Sequence, residues 1–451
     1  MQPPLFDAPL PPGITPLHLP LPDTEALLLA LAVGGGARTR TWLLSYLPAL
    51  GEPNAQGKRF SGPDVAAALS ELARQGHVSE DPLRRANWAL APALMPAALA
   101  RALDRHPGAA LAEALARCDG YGHPVAPDGR WSFHSEMDAV ALVRLQACAG
   151  MPLAELLRYE PHCGWGFEWA EVLWQALQFD LDEALFARLH PSVQVHLLCE
   201  GLERRSSQWR RNGTLPLVVL AEGCFAAAPT RPDLAEAIDA SDLRWYWAVW
   251  LVLAGRGDEA EPVIAPLTQP GAGRSEAEAA HWDSLANALE AFGLSRLGQW
   301  PASVALYEQA LAERRALTGQ KKGLLPLLLA TPYVQALMAQ GDPAGLRSAL
   351  KFCLAESGKR QPSTDSPWGL MALALQMRLG EARRDLQRFA PVSRAPYLDQ
   401  ADYWRWLLRA WLSEAGTARP GTNTVPAAWQ ALHASCVDAG LLDLARQLDA
   451  A

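Results

Sequence analysis

Apolar residues recur three and four positions apart over most of the chain, the spacing of one helix face, with few stretches of strand-like alternation. Polar clusters rich in Pro and Gly interrupt this pattern near 119–130, 204–216, 268–274, 356–367 and 415–426. Between the breaks Ala and Leu dominate, while Ile and Thr are sparse, so helix formers greatly outnumber strand formers. The pattern predicts a mainly α fold. The apolar runs, such as 26–33, stop far short of the roughly 18 residues that a membrane span requires. No membrane contact is expected.

Residues 24–98 carry a distinct order of elements. A short apolar helix is predicted over 24–33. A second follows over 39–50, with Trp42, Leu43, Tyr46 and Leu47 on one stripe. Ser61, Pro63 and Asp64 mark the start of a third helix, and Val65, Leu69 and Leu72 continue it at helical spacing. Gly76 suits a left-handed cap. A polar turn over 79–85 then leads into a short strand at 86–90. This is the order of a winged helix-turn-helix, with the third helix as the groove-entering one and Ser61, Asp64, Ser70, Glu71, Arg74 and Gln75 on its exposed face.

From about residue 130 helix follows helix. Gly255, Gly298 and Gly341 recur at equal spacing, each between two apolar helical runs, and Gly380 follows slightly sooner. Such a period predicts stacked helical hairpins, because one hairpin cannot bury its apolar face alone. The segment around Gly298, Trp300, Ser303, Tyr307 and Ala310 resembles the tetratricopeptide pattern. Its repeat is longer than the usual unit of about 34 residues, which implies longer helices or turns. A maltose-regulator type of helical arm is similar in this respect. The predicted organisation is a Pro-rich flexible tail (1–22), a winged-helix-like domain (23–118), a helical domain (119–235) and a tetratricopeptide-like solenoid (236–451).

Composition narrows the chemistry. Seven cysteines are scattered with no Cys-x-x-Cys pair, which argues against zinc and for buried thiols in a reducing, cytoplasmic setting. The net charge of −8 means that any nucleic-acid contact is local. Residues 38–85 are the place for one. There Arg38, Arg40, Lys58, Arg59, Arg74, Arg84 and Arg85 outnumber the carboxylates by two. A second basic cluster, Arg204, Arg205, Arg210 and Arg211 around Trp209, reads as a polar loop able to grip phosphate or simply to be solvated. Tryptophan is abundant, with 17 copies, and core packing is its simplest role. Trp404 and Trp406 lie too close in sequence for all their neighbouring rings to face inward, so they are candidate partner contacts.

Catalytic patterns are absent. The segment Gly57-Lys58-Arg59 lacks the first Gly and the Ser or Thr of a phosphate loop. His134, Ser135, Glu136 and Asp138 read as a helix start capped by Ser135, and His162-Cys163 as a loop pair with a buried thiol. No catalytic residue, metal site or cofactor is expected.

Several segments together resemble a known family. They are Arg38-Thr39-Arg40-Thr41-Trp42-Leu43-Leu44, then Gly57-Lys58-Arg59-Phe60-Ser61, the helix Val65 to Leu72, Gly76-His77-Val78, and a later run from Phe179-Asp180-Leu181-Asp182 to Leu189-His190-Pro191. The order resembles the N-terminal region of large bacterial Swi/Snf-type ATP-dependent DNA helicases, ahead of the motor. The resemblance implies a non-catalytic accessory module in a remodelling or defence complex, with a helicase or ATPase as protein partner and double-stranded DNA as a further ligand. No motor motif is present in this chain. A pure protein scaffold and a ligand-sensing regulator arm stay open as alternatives.

Overall fold

The first helix, α1 (Asp23–Gly34), is apolar all round and is buried from Glu25 to Gly34. A helix without a polar face must be surrounded, and α1 is the centre of its unit. In this computed structural model the described residues are 22–81, 86–118, 136–158, 168–177, 182–208, 214–269, 275–358 and 366–381. They are mainly α-helical. The chain forms two compact units, residues 1–197 and 198–451, and the boundary falls inside a helix.

In the first unit α1 ends at Gly35, in the left-handed region at φ 68°, and the chain enters β1 (Arg38–Thr39). Thr39 then caps α2 (Arg40–Leu50), its hydroxyl accepting the Trp42 amide at 3.0 Å. The third helix, α3 (Gly62–Arg74), opens with a capping box. The Asp64 carboxylate accepts the Ser61 amide at 2.8 Å, and the Ser61 hydroxyl accepts the Asp64 amide. Beyond Gly76 (φ 75°) come β2 (Val78–Glu80) and β3 (Asn87–Leu90). The sheet is antiparallel in the order β1-β3-β2, with Arg38 opposite Trp88 and Glu80 opposite the same tryptophan.

Next come α4 (Met95–Arg105), α5 (Gly108–Cys118), α6 (Glu136–Cys148), α7 (Leu153–Leu156), α8 (Trp169–Leu177), α9 (Glu183–Arg188) and α10 (Pro191–Gln208). Helix α1 packs on α2, α3, α4 and α6, and α5 packs on α2 and α6. The break expected at 118/119 therefore separates elements that share one core. The two glycines after α1 show how close α6 comes. A Cβ at Gly35 would sit 3.1 Å from an Arg144 nitrogen and 3.3 Å from the Ala141 Cβ, and one at Gly36 would collide with the Met137 sulfur.

The second unit continues with α11 (Thr214–Ala227), α12 (Pro232–Asp239), α13 (Leu243–Leu253), α14 (Gly257–Thr268), α15 (Glu276–Arg296), α16 (Trp300–Thr318), α17 (Leu327–Gln340), α18 (Pro343–Ser357) and α19 (Pro367–Arg378). Helices α13 to α19 each pack on the next, and α15 and α17 also pack on the next but one. The four periodic glycines follow α13, α15, α17 and α19, with φ of 78°, 72°, 70° and 72°. At three of them the amide three residues past the last helical residue closes a six-residue loop, as in Gln299 to the Leu294 carbonyl at 3.0 Å. The long repeat has its cause in helix length, since α15 has 21 residues and α16 has 19. Ring contacts tie neighbouring helices together. Tyr307 meets Tyr333 at 5.1 Å, Tyr333 meets Phe352 at 5.9 Å, and Phe352 meets Trp368 at 5.7 Å. Trp245, Trp247 and Trp250 are core residues.

Candidate nucleic-acid interface

The basic residues of the first unit fall into three physical classes. Arg38 is framework. It is 6% exposed, donates from Nη2 and Nε to the Gly34 carbonyl at 2.5 and 3.0 Å, pairs with Asp138 at 3.3 Å and lies over the Trp42 ring. Its guanidinium closes the α1–β1 turn onto α6 and is turned away from solvent, unlike the surface cation that the sequence suggests.

Arg74 is exposed but engaged. Its Nε and Nη2 donate to the two Glu71 carboxylate oxygens at 2.9 and 2.6 Å, and Gln75 donates to Glu71 at 2.6 Å. These hydrogen bonds, Arg74 first, hold the Glu71 carboxyl below its ordinary value.

Arg40, Lys58 and Arg59 are exposed and form no ion pair among the described residues. Arg40 opens α2. Lys58 and Arg59 leave the loop before α3, which closes on the buried Asn54. Its side-chain oxygen accepts the Lys58 amide at 2.9 Å and the Gln56 amide at 3.1 Å, while its own amide donates to the Lys58 carbonyl at 2.7 Å. Asp23 accepts the Ala55 amide at 2.7 Å and fixes the loop to the start of α1. Arg84 and Arg85 lie outside the described residues.

The second basic cluster is only partly a loop. Helix α10 runs to Gln208, so Arg204 and Arg205 are helical, and Arg204 is half-buried and paired with Glu200 at 2.5 Å. The buried residues Leu197, Leu198 and Leu202 anchor the helix just ahead of the polar stretch that the sequence suggests is a break, and the helix continues into it as far as Gln208. Arg210, Arg211, His134, Ser135, His162, Cys163, Trp404 and Trp406 lie outside the described residues.

One cluster escapes sequence reading. Glu52, just past α2, accepts from Arg105 Nη2 at 2.9 Å and lies 2.6 Å from His106 Nε2, at the far end of α4. Burial pushes the Glu52 carboxyl up, but the hydrogen bonds from His106 and Arg105 outweigh it and the net direction is down. A carboxylate held this way is an ionic staple, not a base. Its sequence signal is faint, since only folding brings position 52 beside 105 and 106.

Other chemistry is limited among the described residues. No group of three or more His, Cys, Asp or Glu is arranged to hold a metal ion. Burial pushes the thiols of Cys148 and Cys199 up to about 12 and that of Cys224 to about 11, so these cysteines stay protonated and unreactive at neutral pH. No helix there is long and apolar enough to cross a membrane. No family model, curated protein or solved structure matches the chain.

Proposed function

We propose that the protein is a non-catalytic accessory factor that touches duplex DNA with its N-terminal unit and holds a protein partner with its C-terminal helical hairpins. The observation that carries the DNA half is the set of three exposed, unpaired cations, Arg40, Lys58 and Arg59, at the start of α2 and just before α3. The helix–strand–helix–helix–strand–strand order, with β3 between the other two strands, supports a winged-helix form. The left-handed glycines at repeated positions support a tetratricopeptide-like array, an architecture suited to gripping a protein. The resemblance to the region ahead of a Swi/Snf-type motor makes such an ATPase the first partner to test.

Fluorescence anisotropy of the full chain with labelled duplex DNA, across a salt series, tests the first half. Binding that weakens steeply with salt and is lost in R40A/K58A/R59A supports it. The second half predicts a complex of defined stoichiometry between the full chain and a Swi/Snf-type motor ATPase in sedimentation velocity. A second reading, a protein scaffold without DNA contact, is favoured by the Glu71–Arg74 pair on α3. It predicts no duplex binding even at the lowest salt.

A further inference from the structure

The outward face of α3 is polar, yet its hydrogen-bonding groups are directed at one another. The Ser61 hydroxyl donates to Asp64 at 2.8 Å, and the Ser70 hydroxyl donates to the Ala66 carbonyl at 2.8 Å. Arg74 and Gln75 both donate to Glu71. Asp64 and Glu71 against Arg74 leave this face with a net charge of −1. A helix that reads bases needs donors free to reach base edges and a face that tolerates nearby phosphates. This one offers neither. The cations without an ion pair among the described residues stand elsewhere: Arg40 opens α2, and Lys58 and Arg59 leave a loop already closed around Asn54, so little ordering is needed for those two to meet a polyanion.

We propose that the N-terminal unit lies on the phosphate backbone of duplex DNA through Arg40, Lys58 and Arg59 without reading sequence, and that Glu71, by engaging Arg74 and Gln75, keeps α3 from contributing. This rests on the DNA half of the function proposed above. Glu71 is a positioning residue here: it acts through Arg74 and touches no nucleotide itself. Contacts of this kind fix a protein on DNA without carrying sequence information.

The test uses the full chain, three labelled duplexes of unrelated sequence and a salt series. The wild type is expected to bind all three with affinities within about twofold, with a salt slope of about three released ions. E71Q keeps the shape and the hydrogen bond to Gln75 but frees the Arg74 charge. It should bind about threefold more tightly at low salt, with a slope larger by nearly one ion. R40A/K58A/R59A should lose at least about tenfold, with an unchanged circular dichroism spectrum. A wild type that prefers one duplex by about tenfold, or an E71Q that binds as the wild type does, overturns this inference and leaves DNA binding standing. Absence of binding to every duplex removes both.

Discussion

Arg38 and Asp138, 100 residues apart in the chain, meet at 3.3 Å with both side chains almost wholly buried. The pair joins β1 to α6, and Arg38 also donates to the carbonyl of Gly34. A charge withdrawn from water this far depends on its partner, because removing one member strands the other. D138N and R38A are each expected to lower the unfolding free energy by about 3 kcal/mol, read from urea midpoints at constant m-value. A loss below about 0.5 kcal/mol would mean that the pair behaves as a surface contact. For the same reason R38E cannot serve as a DNA-binding variant, since it confounds fold with contact.

The periodic glycines make a second prediction, built on contrast. Gly298 has φ 72° and Gly293, five residues earlier inside α15, does not have positive φ; a Cβ at either would meet nothing within 4 Å. Sterics with neighbours are therefore equal and only the backbone differs. G298A should destabilise by about 1–2 kcal/mol, because an L-residue in the left-handed region crowds its own carbonyl. G293A should stabilise by about 0.5–1 kcal/mol, because Ala loses less entropy than Gly on entering a helix. Thermal unfolding of the two variants should move in opposite directions. Equal shifts would show that Gly298 is not held where the structure has it.

The same glycines show what a sequence can reveal. Gly255, Gly298 and Gly341 are legible because each helix end is a local event, decided by the residue that must turn the chain. Ser61 is legible as the start of α3 for the same reason. Arg38 is not. Its position before Thr39 and Arg40 in an exposed-looking basic run gives no hint of Asp138, which folding brings from α6. Arg74 looks like a groove cation until the geometry turns it onto Glu71. Nothing in the Gly35-Gly36 pair announces a neighbour, yet the close approach of Met137, Ala141 and Arg144 requires both glycines. In each case the missing information is a partner distant in sequence or a side-chain direction, and neither leaves a periodicity.

Close packing yields a third prediction, at the junction of α5 and α6. A Cβ at Gly108 would lie 2.5 Å from the Ala149 Cβ and 3.2 Å from its Cα. The obstacle is main chain and a methyl group, which cannot swing aside as the end of a long side chain can. G108A should therefore cost about 1–3 kcal/mol, the usual penalty of overpacking. The double variant G108A/A149G removes the opposing methyl and should recover part of the loss. Additive losses in that cycle would place the effect in the backbone of α5 instead.

Glu52 contributes to the acid limb of stability in the first unit. Burial raises its carboxyl pKa, but hydrogen bonds from His106 and Arg105 bring the folded value below the ordinary 4.5. A depressed folded value means that the unfolded chain binds the proton more readily than the folded one. The stabilisation is thus fully present above about pH 4.5 and is lost as the pH falls through the lower, folded value. Unfolding free energies measured from pH 6 to pH 3 should fall more steeply for the wild type than for E52Q, whose curve should be flatter on the acid side. E52Q should also be the less stable protein at pH 6, because Arg105 then faces a neutral amide in a half-dry site. Parallel curves for the two proteins would mean that Glu52 titrates alike in the folded and unfolded chains, and the staple between the end of α2 and the end of α4 would then contribute nothing specific to the charged form.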